Sequence, residues 1–418
     1  YGTAIVGTVS GTSISFGAAA VFESATSIYI TATFDSNANK VVIVYRDSGN
    51  ADSGTAVVGT VSGTSISFGT PVVFSGDSYY YAPVYNSTTN KINIAYRDDG
   101  NSSYGTLITG TVSGTSISFG SKFVFAATST QQLSAVFDPN SNNVALAYAD
   151  NGNSSYGTGV VYTTVSSNNT DFIGITNEAI SNAATGEVAV QGGAITNSSL
   201  LPSVFSSSAG SEVVFEAARA DHSMSIFDSS NNKVVIIYAD NGDSDNGKAI
   251  VGTVSGSSIS YGTPVTFNAA TTTRLSGTFD SNSNKIVIVY NDGGDSNKTK
   301  SIVGTVSGTS ISFGAEATVT NNTTSATTTT FDSNLNKVVT FYKDDSNNEY
   351  GTAAVGTVSG TSISFGTPVV FESAQSVVTQ SGSCFDTSNN KTVTVYRDVG
   401  NSSHGTAIVG TVSGTSIS

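Results

Sequence analysis

Seven short loops of this sequence begin with an aspartate, whose carboxylate could bind a metal ion. These residues are Asp47, Asp98, Asp150, Asp240, Asp292, Asp344 and Asp398. Ca²⁺ prefers six to eight oxygen ligands, including carboxylates, and the loop best supplied with them offers Asp240, Asp243 and Asp245. Alternatively, each aspartate caps a tight turn by accepting backbone hydrogen bonds. Both interpretations stay open, and no other cofactor is expected.

A second set of candidates lies at a position that differs between copies of an otherwise regular pattern. That position carries Tyr29, Tyr80, Gln132, His222, Arg274, Ala326 and Gln380, and the residue before it adds Tyr79. Large planar and hydrogen-bonding side chains suit a sugar-binding rim. Drift of an exposed, unconstrained position is the alternative. We predict a ligand site at Tyr29, Tyr79, Tyr80, Gln132, His222, Arg274 and Gln380.

No group of residues predicts catalysis. Asp221 and His222 are adjacent, and neighbours in a strand point to opposite faces, so they should not form one acid–base unit. No nucleophile motif is recognisable. The single cysteine, Cys384, is expected to be a small buried side chain. We therefore predict that the protein is not an enzyme.

Internal repeats must position these residues. GTVSG begins at seven glycines, and FDSNxNK begins at Phe34, Phe279 and Phe331, with variants at Tyr85, Phe137, Phe227 and Phe385. Successive aromatic markers are 51 to 54 residues apart, except for a gap of 90 between Phe137 and Phe227. This pattern indicates seven repeats with one insertion.

Each repeat predicts four strands, A to D. In the first copy they are residues 28–35, 40–47, 55–62 and 64–74, rich in β-branched and aromatic residues and separated by Gly, Asn, Asp and Ser. Strand B is continuously apolar, so it should be covered on both faces. Stacked four-stranded antiparallel sheets of this kind favour an all-β fold, a seven-bladed β-propeller with one small β insertion. An open β-solenoid or a string of β-sandwiches is the alternative.

Proline predicts which strand is outermost, because a sheet accepts proline at its edges. Strand D carries Pro71, Pro264 and Pro368, which leaves strand A innermost. Closure of the ring is ambiguous. Residues 1–22 and residues 405–418 both resemble strands C and D, and both cannot complete the seventh repeat.

Composition excludes several classes of protein. The 418 residues carry a net charge of −14, which argues against binding to nucleic acid phosphates. No apolar run is long enough to insert into a membrane, and one cysteine excludes an intrachain disulfide framework. We expect residues 1–418 to be a single propeller, cut from a longer chain, with residues 168–202 inserted in the C–D turn of the third repeat.

The motifs also carry a resemblance. The GTSISFGTPVVF and FDSNxNKVVIVYRD repeats, with FIGIxxEAIxxxATGxVxVxGG from Phe172 to Gly193, resemble tail-fibre or adhesin-type repeat proteins of marine phages and bacteria. The A–B hairpin is similar to that of YVTN-type β-propellers. The resemblance implies a component of a virion or of an extracellular surface.

These observations predict a non-enzymatic module of a viral fibre or secreted adhesin that recognises a cell-surface glycan or host receptor. A purely structural spacer and a calcium-dependent lectin are alternatives, and a glycan-cleaving enzyme is disfavoured for lack of clustered carboxylates. Homo-oligomers, if formed, are expected to assemble through other parts of the parent chain.

Overall fold

The computed structural model describes residues 1–10, 13–164, 175–176, 188–189, 207–377, 382–400 and 404–418. Strands dominate these residues, and within them no helix has the length and apolar character that crossing a membrane requires. Short 3₁₀ turns lie at Asp99–Asn101, Asn151–Asn153, Asn241–Asp243 and Gly293–Asp295. The all-β prediction is confirmed.

Seven four-stranded antiparallel sheets, called blades below, follow one another along the chain. Strands B are Lys40–Asp47, Lys91–Asp98, Asn143–Asp150, Lys233–Asp240, Lys285–Asp292, Lys337–Asp344 and Lys391–Asp398. Strands C are Ser53–Ser62, Tyr104–Ser113, Tyr156–Thr164, Asn246–Ser255, Lys298–Ser307, Tyr350–Ser359 and His404–Gly410, followed by Val412–Ser413.

Strand D is split in two, and its second part runs on into strand A of the next blade. The first parts are Ser65–Phe68, Ser116–Phe119, Ser207–Ala209, Ser258–Tyr261, Ser310–Phe313, Ser362–Phe365 and Ser416–Ile417. The continuous second parts are Val72–Asn86, Phe123–Asp138, Val213–Asp228, Val265–Asp280 and Ala317–Asp332. Strand A is separate in the first blade, at Ser27–Asp35, and in the seventh, where Val369–Val377 precedes Ser383–Asp386.

The hydrophobic cores lie between adjacent blades. Val42 and Val44 of the first blade, both fully buried, pack with Ile92 and Ile94 of the second, and the same layering recurs along the chain. Strand B of the first six blades is buried on both faces, as its continuous apolar sequence predicts. A strand with one wet face would alternate instead.

Strands A of successive blades lie beside one another, in order from the first blade to the seventh. Side chains link them directly; for example, Thr328 Oγ1 lies 2.9 Å from Ser383 Oγ. Strand D lies on the other side of each sheet, and Pro71 falls in the break between its two parts. The prediction that A is innermost and D outermost is confirmed, and the arrangement is that of a β-propeller.

The two terminal copies have different partners. The C-terminal copy completes the seventh blade, since Thr392 pairs with Gly410 and Asp398 with His404. Near the N-terminus, Gly2–Ala4 pairs with Ala20–Glu23, and Gly7–Ser10 pairs with Ser13–Phe16. The idea that residues 1–22 supply strands C and D to the seventh blade is therefore wrong.

The insertion at residues 168–202 falls between Tyr156–Thr164 and Ser207–Ala209. Within it, Ile175–Thr176 pairs with Val188–Ala189. Its other residues lie outside the described part of the chain, so the domain boundaries stay a prediction. One expectation for a single residue is wrong, because Cys384 is exposed rather than buried.

Candidate functional site

The variable position of strand A is a β-bulge in the blades where its conformation is described. In the first blade, Ile28 pairs with Arg46 and Thr31 with Val44, so Tyr29 and Ile30 together face one residue of strand B. Tyr29, Tyr80, Gln132, His222 and Arg274 all have a left-handed backbone, with φ between 51° and 55°. The bulge turns each side chain away from the regular alternation of the strand.

This conformation has a cost. Left-handed backbone is uncommon for residues other than glycine, and bulky side chains in it are outliers. Such strain costs on the order of 1–3 kcal/mol per residue and is concentrated at functional sites. Five repeats retain it with five large or polar side chains, which favours a role for this ring of residues.

Three of the predicted residues form a tyrosine cluster between the first and second blades. The ring centroid of Tyr29 lies 5.4 Å from that of Tyr79 and 6.1 Å from that of Tyr80. The guanidinium of Arg46 lies 4.1 Å from the centre of the Tyr79 ring, and that of Arg97 lies 4.7 Å from it. These rings and cations contact one another, the buried Arg46 Nε has no hydrogen-bond partner among the described residues, and Tyr29 keeps about half of its surface exposed (48%).

A polar pocket of about 200 Å³ opens between the third and fourth blades. This amide pocket is lined by Gln131, Gln132, Ala149, Asn151, Ser155, Arg219 and Asp221. At its centre, Gln132 Nε2 donates to Asp221 Oδ1 at 2.7 Å, and Arg219 Nη2 lies 2.6 Å from Asp221 Oδ2. Asn151 and Ser155 come from the loop that follows Asp150, and Ser155 Oγ donates to Asn151 Oδ1 at 2.9 Å.

The carboxylate of Asp221 fixes the orientation of the Gln132 amide. Burial would raise the pKa of Asp221, but hydrogen bonds from Arg219 and Gln132 outweigh it and hold that pKa below its ordinary value. An ionised carboxylate only accepts hydrogen bonds, so the amide nitrogen must face it. Gln132 Oε1 then points away from the Asp221 carboxylate. This oxygen is buried and has no hydrogen-bond partner among the described residues. A ligand that donates a hydrogen bond to this oxygen would remove the cost of leaving it unpaired.

The other residues predicted at the variable position of strand A are His222, Arg274 and Gln380. His222 and Arg274 are exposed at the bulges of the fourth and fifth blades, and the backbone oxygen of Arg274 accepts from Thr327 Oγ1 at 2.6 Å. Gln380 lies outside the described residues. The structure thus gathers Tyr29, Tyr79 and Tyr80 into one group and Gln132 into another, and their role in binding stays a prediction.

The loop aspartates act as turn caps. Asp47, Asp150, Asp240, Asp292 and Asp344 each accept a hydrogen bond from the backbone N–H two residues later, at 2.9–3.2 Å. In the loop expected to suit calcium best, Lys248 Nζ lies 2.5 Å from Asp240 Oδ2 and 3.0 Å from Asp243 Oδ2.

That ammonium neutralises two of the three proposed ligands, and Asp245 bonds separately with Asn241. Across the described ranges, no group of three or more His, Cys, Asp or Glu side chains could hold a metal ion. The residues therefore do not fit calcium as they stand, and its binding remains an untested prediction.

Sequence reasoning missed part of the amide pocket. The position that carries Tyr79 carries Gln131 and Asp221 in two other repeats, but Arg219, Asn151 and Ser155 were not singled out. The available signal was Arg219, an arginine two residues before Asp221 in this repeat alone. Arg219 contributes to the pocket because the bulge turns Gln132 of the third blade toward Asp221 of the fourth, which Arg219 also contacts.

No family model matches this sequence, and no curated protein matches it. Among solved structures, the chain is similar to the BP39L lectin of Burkholderia pseudomallei, with a TM-score of 0.59, 10% identity, and coverage of 93% of this chain and 96% of that one. This likeness supports the fold.

Weaker likenesses are to the SapL1 lectin in complex with α-methyl fucoside, with a TM-score of 0.41, 11% identity, and coverage of 82% of this chain and 96% of that one. The six-bladed Aleuria aurantia lectin gives 0.38, 11% identity, and coverage of 78% and 90%.

Proposed function

We propose that this chain is a non-enzymatic carbohydrate-binding module built on a seven-bladed β-propeller, with its primary site in the amide pocket. The observation that carries the proposal is the unpaired Gln132 Oε1 beside the Arg219–Asp221 ion pair. A sugar hydroxyl both donates and accepts, so it can give a hydrogen bond to Gln132 while neighbouring hydroxyls accept from Arg219 or Asn151. The BP39L lectin, similar in fold, supports the same class of function.

The pocket constrains the ligand. Its volume of about 200 Å³ is below the roughly 300–1,000 Å³ of sites for drug-sized molecules. It therefore suits one sugar unit of a longer glycan. The lining is polar and carries no aromatic ring, so hydrogen bonds rather than stacking would hold that unit. The tyrosine cluster would contact only more distant parts of the glycan.

A surface location rests on the sequence resemblance. We propose an extracellular or virion-surface protein that meets a host receptor or cell-surface glycan. Fluorescently labelled protein incubated with candidate host cells, with and without prior glycosidase treatment, tests this placement. Binding that survives removal of the glycans would contradict a glycan partner.

A glycan array probed with the purified chain tests the binding function. We expect one family of related glycans to bind, and the variant Gln132→Ala to lose that signal at least about tenfold, since a hydrogen bond to a polar ligand is worth about 0.5–1.5 kcal/mol and the pocket would also lose its shape. Gln375→Ala is the matched control, because Gln375 is an exposed amide bonded to Glu349 in another blade. An array without binders would favour the structural spacer.

A further inference from the structure

The strands near the N-terminus form half of a blade. In a complete blade, strand C hydrogen-bonds strand B along one edge and strand D along the other. Within the part of the chain that the structure describes, Gly2–Ala4 pairs only with Ala20–Glu23, and Gly7–Ser10 only with Ser13–Phe16. By sequence these strands are C and D of one more repeat. In a complete blade, the other edge of strand C pairs with strand B. Here that edge has no partner strand among those residues.

This half-blade lies between the seventh blade and the first. A Cβ on Gly17 would lie 1.6 Å from the Thr64 carbonyl oxygen, and a Cβ on Gly69 would lie 1.8 Å from that of Thr115. The half-blade is therefore packed against the first blade in the same way as the first blade is packed against the second. On its other side, Ser13–Phe16 contacts strand C of the seventh blade, as strand D of the second blade contacts strand C of the first.

The inner half of the seventh blade is uncovered on the side that faces this position. Val395 keeps 45% of its surface exposed, whereas its repeat equivalents Val44 and Val289 are fully buried against the next blade. Cys384 is exposed as well, whereas its equivalent Ile226 is buried. The sequence difference is small, so the missing neighbour explains the difference in burial.

The first blade is uncovered on the facing side. Ile30 and Phe34 keep 50% and 52% of their surfaces exposed. In three other blades the equivalents of Ile30, which are Tyr81, Leu133 and Leu275, pack against the core shared with the preceding blade, and so does Phe137, the equivalent of Phe34. Two apolar walls and one unpaired strand edge therefore border the same gap.

We propose that this gap binds one further A–B hairpin with the repeat's own sequence, completing an eighth blade. Its strand B would pair with the free edge at Gly2–Gly7, and its apolar faces would cover Val395 and Cys384 on one side and Ile30 and Phe34 on the other. Among the described residues, seven A–B hairpins are each already paired with a strand C. A folded second copy would have to break one of these pairings to donate such a hairpin, which favours a hairpin that is not yet paired.

The test adds a copy of residues 27–52, which span strands A and B and the following loop, directly before Tyr1. This fusion preserves the spacing between strands B and C, because Gly2 corresponds to Gly54. We expect amide hydrogen exchange at Gly2–Gly7 to slow on the order of 100-fold. Alkylation of Cys384, the chain's single cysteine, should slow on the order of tenfold or more, because it becomes buried.

One further variant and one peptide keep the outcome decisive. Val395→Lys should leave the unfused chain unchanged, since Val395 is exposed there, yet abolish both protections in the fused chain. If the fusion does not fold, a synthetic peptide of residues 27–47 added to the unfused chain gives the same readouts. Unchanged exchange and alkylation with either hairpin would overturn the proposal. So would protection of Gly2–Gly7 in the unfused chain by concentration-dependent dimers, because a second copy would then cover the edge.

Discussion

The bulged position of strand A has different consequences in two parts of the molecule. In the tyrosine cluster, aromatic rings and the guanidinium groups of Arg46 and Arg97 contact one another. Arg46 in turn pairs with Asp52 and Asp77, at 3.0 and 2.9 Å. In the amide pocket, Asp221 accepts from two donors, and one oxygen of Gln132 is left over. Each group leaves one buried polar atom without a partner among the described residues, the donor Arg46 Nε in the cluster and the acceptor Gln132 Oε1 in the pocket. The two groups differ in that Arg46 already holds two ion pairs and a cation–π contact, whereas Gln132 holds one hydrogen bond beside an open pocket.

This difference suggests a division of labour within one repeat position. The ion pairs and ring contacts of the cluster stabilise the fold without a ligand, whereas the unpaired oxygen of Gln132 belongs to a side chain that lines a pocket and gains most from one. The cluster should therefore contribute mainly to stability and the pocket mainly to binding. The first three variants below separate these two contributions.

The largest effect is expected for Asp221→Asn. An asparagine amide can donate to Gln132, so the Gln132 amide would rotate and present its nitrogen where its oxygen now lies. Arg219 would also lose its charged partner. We expect affinity for the glycan identified by array to fall on the order of 10–100-fold, as charge-assisted hydrogen bonds are worth about 1.5–3 kcal/mol. Titration calorimetry measures this loss.

The control for that variant is Tyr80→Ala in the cluster, for which we expect affinity to change less than about threefold, because a peripheral ring contact lies at the lower end of the range for aromatic contacts, about 0.5 kcal/mol. If Tyr80→Ala abolishes binding and Asp221→Asn does not, the cluster is the ligand site and the assignment must be reversed.

The next effect is on stability. Tyr79→Ala removes an edge-to-face aromatic contact and two cation–π contacts, together worth about 1–3 kcal/mol. We expect the free energy of unfolding to fall by about this amount, and amide exchange in Ser27–Asp35 and Val72–Asn86 to quicken. Glycan affinity measured well below the melting temperature should be unchanged. Lost affinity at full stability would show that Tyr79 contacts the ligand directly.

A smaller effect tests the bulge itself. At Tyr29, φ is 52°, so glycine should be more stable than alanine by about 1 kcal/mol, because it adopts this backbone without strain. At Thr31, which follows the bulge in regular pairing with Val44, the order should reverse, since glycine in a strand is less stable than alanine by about 0.5–1 kcal/mol. Denaturant unfolding of the four variants measures both differences. The same order at both positions would mean that Tyr29 is not left-handed.

Sequence reasoning predicted strand B best, since a continuous apolar run bounded by Lys40 and Asp47 allows one assignment. It also identified the variable position, because variation within fixed repeats is visible without coordinates. The bulge was not predictable, as the alternation rule assumes regular pairing. Nor was the half-blade: Gly2–Ser15 and Gly405–Ser418 have the same sequence, so their different partners depend on position in the chain. Arg219 becomes part of the site only because the bulge places Gln132 beside Asp221.

The smallest effect concerns calcium. It tests whether ligands bind at the regular aspartate loops or at the variable position of strand A, called the variable ring below. A ligand present at 100 times its dissociation constant adds about 2.7 kcal/mol to stability, so a bound ion would raise the melting temperature measurably. Lys248 already neutralises Asp240 and Asp243. We therefore expect the melting temperature and glycan affinity to be the same in calcium and in a chelator. In Lys248→Ala the two carboxylates lose their cation, and calcium should restore part of the lost stability. A chelator that abolishes glycan binding by the unsubstituted chain would move the site from the variable ring to Asp240, Asp243 and Asp245.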